Sequence, residues 1–291
     1  MIPRLDTVDE RYIARQQSRL PDAFAQSPSQ RATSFAIWLG LGALTLYCLI
    51  LFDFSPARFA EGASGLGTVV VQMFPPSIGD APGDIFWALL ETLAMAFIGT
   101  LLAAIVAVPL SILAARNTFP FRVPRFGVRR FMDSLRGVDQ LIWALIFVRA
   151  VGLGPLAGIM AIFISDTGTL SKLFSESIEN VDRKPLDGVR SAGAGQIQTL
   201  RFAVLPQVLP MFLSSALYMF ESNVRSATIL GIVGAGGIGF QLSDRIRAHQ
   251  WEETSFILIL ILVTVAGIDH LSKMLRQRLI GVRSDTAGFG K

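Results

Sequence analysis

Long apolar runs alternate with short basic segments along this chain, and the alternation has the length scale of a lipid bilayer. Residues 35–52, 92–115, 202–220 and 254–268 contain no charged side chain. The second run extends backward through Glu91 to Ile85. Two shorter runs, 140–148 and 151–165, lie between them, flanked by Arg136, Asp139 and Arg149 and separated by the turn Gly152-Leu153-Gly154-Pro155. A membrane-spanning helix needs about 20 mostly apolar residues, so the pattern predicts an all-α, polytopic membrane protein of about six helices. It divides into a polar N-terminal segment (1–34), a first span (35–52), an outward connection (53–84), a core (85–280) and a tail (281–291). Within the connection Leu66, Val69, Val70, Met73 and Phe74 repeat with the period of one helix face before Pro75-Pro76 stops it. That spacing predicts a short helix, either lying in the outer interface or capping the bundle.

Composition agrees. Hydrophobic residues make up 52% and charged residues 16% of 291, with a mean hydropathy of +0.52; soluble domains carry about 25% charged residues. The lysines and arginines are not spread evenly. Residues 1–34, 116–136, 172–201 and 273–291 hold 21 of the 26, and in a six-span arrangement all four segments fall on one side. The positive-inside rule makes that side cytoplasmic, both termini included. The same asymmetry accounts for the net charge of +4 without nucleic acid. The first 34 residues are too long and too charged to be the start of a cleaved signal peptide. Cys48 is the single cysteine and His249 and His270 are far apart, so no disulfide framework or metal-ligand spacing is visible.

One segment breaks the apolar pattern, the loop at about 177–206. Pro185 suits a first helical turn, and Asp187 places negative charge near a helix N-terminus. Gly193 and Gly195 then bend the chain, a second helical stretch starts at Gln196, and Leu205-Pro206 opens the next span. Two short helices meeting at a glycine form either a protrusion for a partner to grip or a plain helical hairpin. A second segment, Phe220-Glu221-Ser222-Asn223-Val224-Arg225-Ser226-Ala227-Thr228-Ile229-Leu230-Gly231, puts charge inside a span. An arginine at a helix centre faces protein or water. Glu221 lies one turn before Arg225 and partly neutralises it; Asn223, Ser226 and Thr228 add hydrogen-bonding groups. Guanidinium suits an oxyanion, so the segment is either a path for an anion or an internal brace.

Asp166, Glu91, Asp269 and His270 are expected to be structural, Asp166 paired with Arg149 or Arg136. Gly234, Gly236 and Gly239 spell G-x-G-x-x-G, but no strand precedes them, so they are expected to serve a sharp turn and close helix contact. Gly154 and Gly158 are expected to serve packing. No G-x-x-x-x-G-K-[ST] loop and no Ser/His/Asp or Cys/His set appears.

The loop resembles the cytoplasmic coupling loop of binding-protein-dependent ABC importers, whose pattern is Glu-Ala-Ala, three residues, Gly, nine residues, Ile-x-Leu-Pro. Asp187, Gly188 and Val189 take the first three places; Gly193, Leu205 and Pro206 match; Ala203 stands where Ile is usual. Together with Gln196, Leu205-Pro206-Gln207-Val208-Leu209-Pro210 and Val233-Gly234-Ala235-Gly236-Gly237-Ile238-Gly239, the Asn223–Thr228 stretch resembles the phosphonate transporter permeases over residues 85–280. The resemblance implies the importer transmembrane fold of the methionine-permease type, in the cell inner membrane. It makes Asp187, Gly193, Gly195, Gln196, Leu205 and Pro206 contacts for a separate ATPase, and Glu221, Asn223, Arg225, Ser226 and Thr228 residues of the solute path. It implies two ATPase subunits that bind the ATP, an outer-face binding protein, and a second permease, identical or closely related. The chain would then be no enzyme and hold no cofactor or metal. Phosphonate, phosphite or phosphate esters are the expected solutes. Methionine permeases share the glycine-rich stretch and remain an alternative, as does a membrane scaffold or enzyme without an ATPase.

Overall fold

A computed structural model describes residues 28–52, 54–119 and 121–286. Most of the segment 1–34 and the last part of the tail, 287–291, lie outside the described residues. The described residues are helical, without strands: α1 (Pro28–Leu51), α2 (Pro56–Gln72), α3 (Pro82–Ala114), α4 (Arg122–Gly137), α5 (Gln140–Val151), α6 (Pro155–Glu179), α7 (Arg183–Ser191), α8 (Gln196–Thr199), α9 (Leu205–Leu230), α10 (Gly237–Arg247) and α11 (Trp251–Thr286). They fall into two bodies divided after Thr68. The second carries the packed core and every candidate site residue described below.

The expected polytopic, all-α class is borne out, with differences in the spans. Five stretches among the described residues are long and apolar enough to cross a membrane: 31–51, α3, α6, 196–235 and 251–278. The run at 140–148 becomes α5, whose 12 residues reach only about 18 Å at 1.5 Å per residue. The run at 151–165 splits: Val151 ends α5, and from Pro155 it is the first part of a 25-residue helix that continues to Glu179. It was cut short in the sequence because Asp166, Lys172 and Glu176 interrupt the apolar signal. A helix does form in the connection at 53–84, but as α2 it begins at Pro56, ten residues before Leu66, and ends at Gln72.

Small side chains bring α3 and α6 together in parallel. Gly99 of α3 faces Ile162 of α6, and a Cβ at Gly99 would stand 2.6 Å from the Ile162 methyl. Further along, Asn117 donates to the backbone oxygens of Ile178 and Glu179 at 3.2 and 3.0 Å. Without a hydrophobic driving force between helices in lipid, such close backbone approach is what holds spans together. Three apolar layers then stack along α3. One contains Leu170, Phe174, Val208 and Phe212, with the two phenyl rings stacked at 4.0 Å. The middle one joins Met95, Ile162, Ala227, Leu230 and Ala235, and the last joins Ile85, Ala88, Ile238, Leu242 and Ile257.

Residues 196–233 form one continuous helical rod, widened by a π turn at Leu200–Val204 and ended by a kink at Gly234. The π turn has a plain cause. Pro206 lacks an N–H and its ring excludes the carbonyl of residue 202; the Leu205 N–H therefore bonds the Leu200 carbonyl, five residues back.

Candidate coupling corner and solute path

The corner between α7 and α8 is built by its own sequence. Asp182 caps α7, its carboxylate accepting from the Lys184 N–H at 3.1 Å. Asp187 therefore stands in the second turn of α7, not near its N-terminus; the expected charge at that end is supplied by Asp182. At the other end the Gly193 N–H bonds the Arg190 carbonyl at 2.9 Å and the Ala194 N–H bonds the Val189 carbonyl at 3.4 Å. Those are the two bonds of a Schellman stop, which needs a left-handed residue, and Gly193 has φ of 84°. The Gly195 N–H then bonds Gln198 Oε1 at 2.9 Å and α8 begins. Gln207 ties this corner to the rod: its side-chain oxygen accepts from the Asp182 N–H at 3.1 Å while its amide donates to the Ala203 carbonyl at 2.8 Å.

All six residues nominated at the loop, Asp187, Gly193, Gly195, Gln196, Leu205 and Pro206, are exposed. Beside them Ile197 is 82% exposed, and a groove of about 280 Å³ opens between Arg116, Leu186, Arg190, Gln196 and Leu200. A space beside Gly193 is empty of this chain's own atoms, so nothing but backbone conformation demands glycine there.

The five residues nominated in α9 are not brought to one place. Successive residues of a helix turn by about 100°, which puts Glu221, Arg225 and Thr228 on one side and Asn223 on another. Glu221 and Arg225 face α11. Arg276 donates to Glu221 at 2.6 Å, and Arg225 reaches Asp269 at 3.4 Å and Glu221 at 3.9 Å. Arg225 nonetheless keeps 52% of its side chain exposed. Thr228 has only a long contact of 3.5 Å to the Val224 carbonyl, and Ser226 is half-buried.

Asn223 is 2% exposed and turns into the bundle. Its amide donates to Thr100 of α3 at 2.8 Å and to Asp166 of α6 at 2.5 Å, and its oxygen accepts from Gln140 of α5 at 3.4 Å. Asp166 was expected to pair with Arg149 or Arg136; its partner is Asn223. Thr100 and Gln140 escaped the sequence reading, because a lone threonine or glutamine in a span carries no local signal.

The glycine run behaves as expected. Gly234, Gly236 and Gly237 have φ of 101°, 81° and 71°, and a Cβ on Gly239 would collide with the Thr228 carbonyl. The Gly154 N–H bonds the Gly234 carbonyl at 3.0 Å, and Gly158 packs against Met95 and Ala235. The first N–H groups of α10 are taken by α3: Glu91 accepts from Gly237 at 2.9 Å and Thr92 from Ile238 at 2.8 Å. Among the described residues no three His, Cys, Asp or Glu side chains gather as metal ligands.

Residues 107–280 match the family described as binding-protein-dependent transport system inner membrane component. The phosphite transport system permease protein PtxC of Stutzerimonas stutzeri is 39% identical over 239 residues, 81% of this chain and 86% of that protein. The phosphate-import permease protein PhnE of Mycolicibacterium smegmatis is 39% identical over 228 residues, 78% of this chain and 43% of that protein. A protein of Escherichia coli K12 named for a cryptic phosphonate transport system, PhnE2, is 49% identical over 121 residues, 42% of this chain and 99% of its own. An inward-facing structure of the MetNI methionine ABC transporter superposes with a TM-score of 0.58 at 19% identity, covering 67% of this chain and 96% of that one.

Proposed function

The chain belongs to the binding-protein-dependent inner membrane transport components, the permeases of ABC importers, and we propose that it carries phosphorus oxyanions inward. Phosphonate, phosphite and phosphate share a tetrahedral oxyanion, and the names of the relatives divide among all three. The observation that carries the reading is Arg225, half exposed within a spanning rod. A charged group at that depth faces water or a protein partner, not lipid, and guanidinium offers paired donors to an oxyanion.

In this reading two ATPase subunits bind the ATP and grip the corner at Asp187, Gly193, Gly195, Gln196, Leu205 and Pro206, while the chain itself holds no cofactor or metal and catalyses no hydrolysis. The corner and both termini lie in the cytoplasm. A second permease, identical or closely related, completes the path, and an outer-face binding protein delivers the solute. ATP-driven closure pushes the corner, and the rod passes the push to Arg225, Ser226 and Thr228. The bundle then alternates between inward- and outward-open states. Glu221 holds the cationic site in place, and Asn223 fixes the rod against α3 and α6.

The test is uptake into proteoliposomes by the permease with its ATPase and binding protein. ATP-dependent accumulation of phosphite or methylphosphonate, and none of methionine, is expected. Methionine uptake in place of the phosphorus oxyanions would overturn the solute assignment, and failure of any ATPase to copurify would overturn the importer mechanism.

A further inference from the structure

The ion pairs between α9 and α11 are unequal. Glu221 and Arg276 meet at 2.6 Å and are mostly covered, with 13% and 24% of their side chains exposed. Charge-assisted N–H···O bonds are about 2.7–2.9 Å long. Arg225 falls outside that range with both of its carboxylates, at 3.4 Å to Asp269 and 3.9 Å to Glu221. Asp269 is in turn poorly satisfied, because its second oxygen, Oδ1, is buried without a hydrogen-bond partner. Buried acceptors in folded proteins are normally paired, and one that is not calls for a reason.

The charges of Glu221, Arg225, Asp269 and Arg276 sum to zero. An approaching anion therefore meets no net attraction until one carboxylate leaves. Glu221 is held by Arg276, which makes Asp269 the one free to go. We propose that Asp269 is a displaceable counter-carboxylate: it neutralises Arg225 while the path is empty, and gives way to the phosphorus oxyanion when solute arrives. It is a positioning residue that acts through Arg225, and it sets the balance between capture and release. The proposal rests on the assignment of Arg225 to the solute path.

The fold supplies a way to work the exchange. Arg225 rides on the continuous 196–233 rod that starts at the coupling corner, whereas Asp269 rides on α11. The two helices run antiparallel, since Glu221 meets Arg276 and Arg225 meets Asp269. A small slide of the rod against α11 therefore changes the Arg225–Asp269 separation directly. At 3.4 Å and half exposed, this contact yields more readily than the covered Glu221–Arg276 pair.

The experiment titrates the purified permease–ATPase complex, without binding protein, with inorganic phosphite by calorimetry. Asp269→Asn is expected to bind phosphite about 5-fold tighter than wild type, the scale set by losing one exposed charge pair. Arg225→Gln and the Arg225→Gln/Asp269→Asn double variant are expected to lose binding, and Asp269→Glu to restore wild-type affinity. In uptake assays Asp269→Asn should lower turnover at saturating phosphite, because release slows. Equal or weaker binding by Asp269→Asn overturns the proposal, as does tight binding by the double variant. Where Asp269→Asn assembles poorly, Asp269→Ser is titrated instead with the same expectation. Wild-type uptake is scored separately: a wild type that imports no phosphorus oxyanion refutes the solute assignment itself.

Discussion

Asn223 of α9 and Asp166 of α6 meet inside the bundle, the amide of one donating to the carboxylate of the other at 2.5 Å, both residues 2% exposed. No lysine or arginine side chain forms a salt bridge with Asp166 among the described residues. The Asn223 amide therefore carries the stabilisation of this carboxylate, and Asn223 is itself held by Thr100 and Gln140 of two further helices. Asn223→Leu should destabilise the assembled complex by about 2 kcal/mol, because it strands a buried acceptor. Thr100→Val should cost about 0.6 kcal/mol, the average for an interhelical hydrogen bond in a membrane. Thermal unfolding of the detergent-purified complex ranks the two, and equal losses would show that Asp166 does not depend on Asn223.

Gly193 separates a turn requirement from a contact requirement. Its φ of 84° charges most residues about 1–2 kcal/mol, whereas Asn tolerates the left-handed region. Gly193→Asn should therefore preserve the Schellman stop while adding a side chain to an open corner. If the corner is pressed against the ATPase, Gly193→Asn and Gly193→Asp both assemble but hydrolyse ATP without uptake. If glycine serves the turn alone, Gly193→Asn couples normally. The ratio of ATP hydrolysed to phosphite imported measures the difference.

How far the sequence foretold this arrangement depends on whether a feature is local. Spans were legible because lipid demands long uncharged runs, and the run at 92–115 became the body of α3. The turn at Gly193 and the widened helix before Pro206 were legible because both residues act through their own backbones. The second half of α6 was not, because Asp166 and Ser171 are buried in the bundle, so their polarity marks packing and not the end of a helix. Asn223 and Arg225 were grouped by proximity, although two residues at 100° each stand about 200° apart on a helix. That signal was in the sequence. The pairing of Asn223 with Asp166, 57 residues away, was not, since it depends on how three helices pack.

Close approach at Gly239 gives a third expectation. Its missing side chain lets α10 fold back over the end of α9, against the Thr228 carbonyl and the Gly231 Cα. Gly239→Ala has no flexible neighbour to push aside, and overpacking of this kind costs about 1–3 kcal/mol or more. Gly83→Ala, where nothing stands within 4 Å, should be neutral or slightly stabilising in its helix. Yields of folded complex by size-exclusion chromatography compare them, and parity between the two variants would contradict the packing at Gly239.

The cap on α10 gives the last. Gly237 and Ile238 donate to Glu91 and Thr92 of a different helix, so the N-terminus of α10 is tied to α3 and not to its own sequence. Gly236, the residue at the cap position, has no side chain to offer. Thr92 is 1% exposed, and Thr92→Val keeps its shape while leaving the Ile238 N–H without an acceptor, at about 1 kcal/mol, the usual value of a lost cap. Glu91→Gln retains an acceptor oxygen for Gly237 and should lose less, since only the charge facing the helix dipole is removed. Hydrogen exchange of the Gly237 and Ile238 amides resolves the two effects. Thr92→Val should speed exchange at Ile238 more than at Gly237, and Glu91→Ala should do the reverse. Uniform acceleration across α10 in either variant would mean that the helix detaches as a unit, and that neither bond alone holds it.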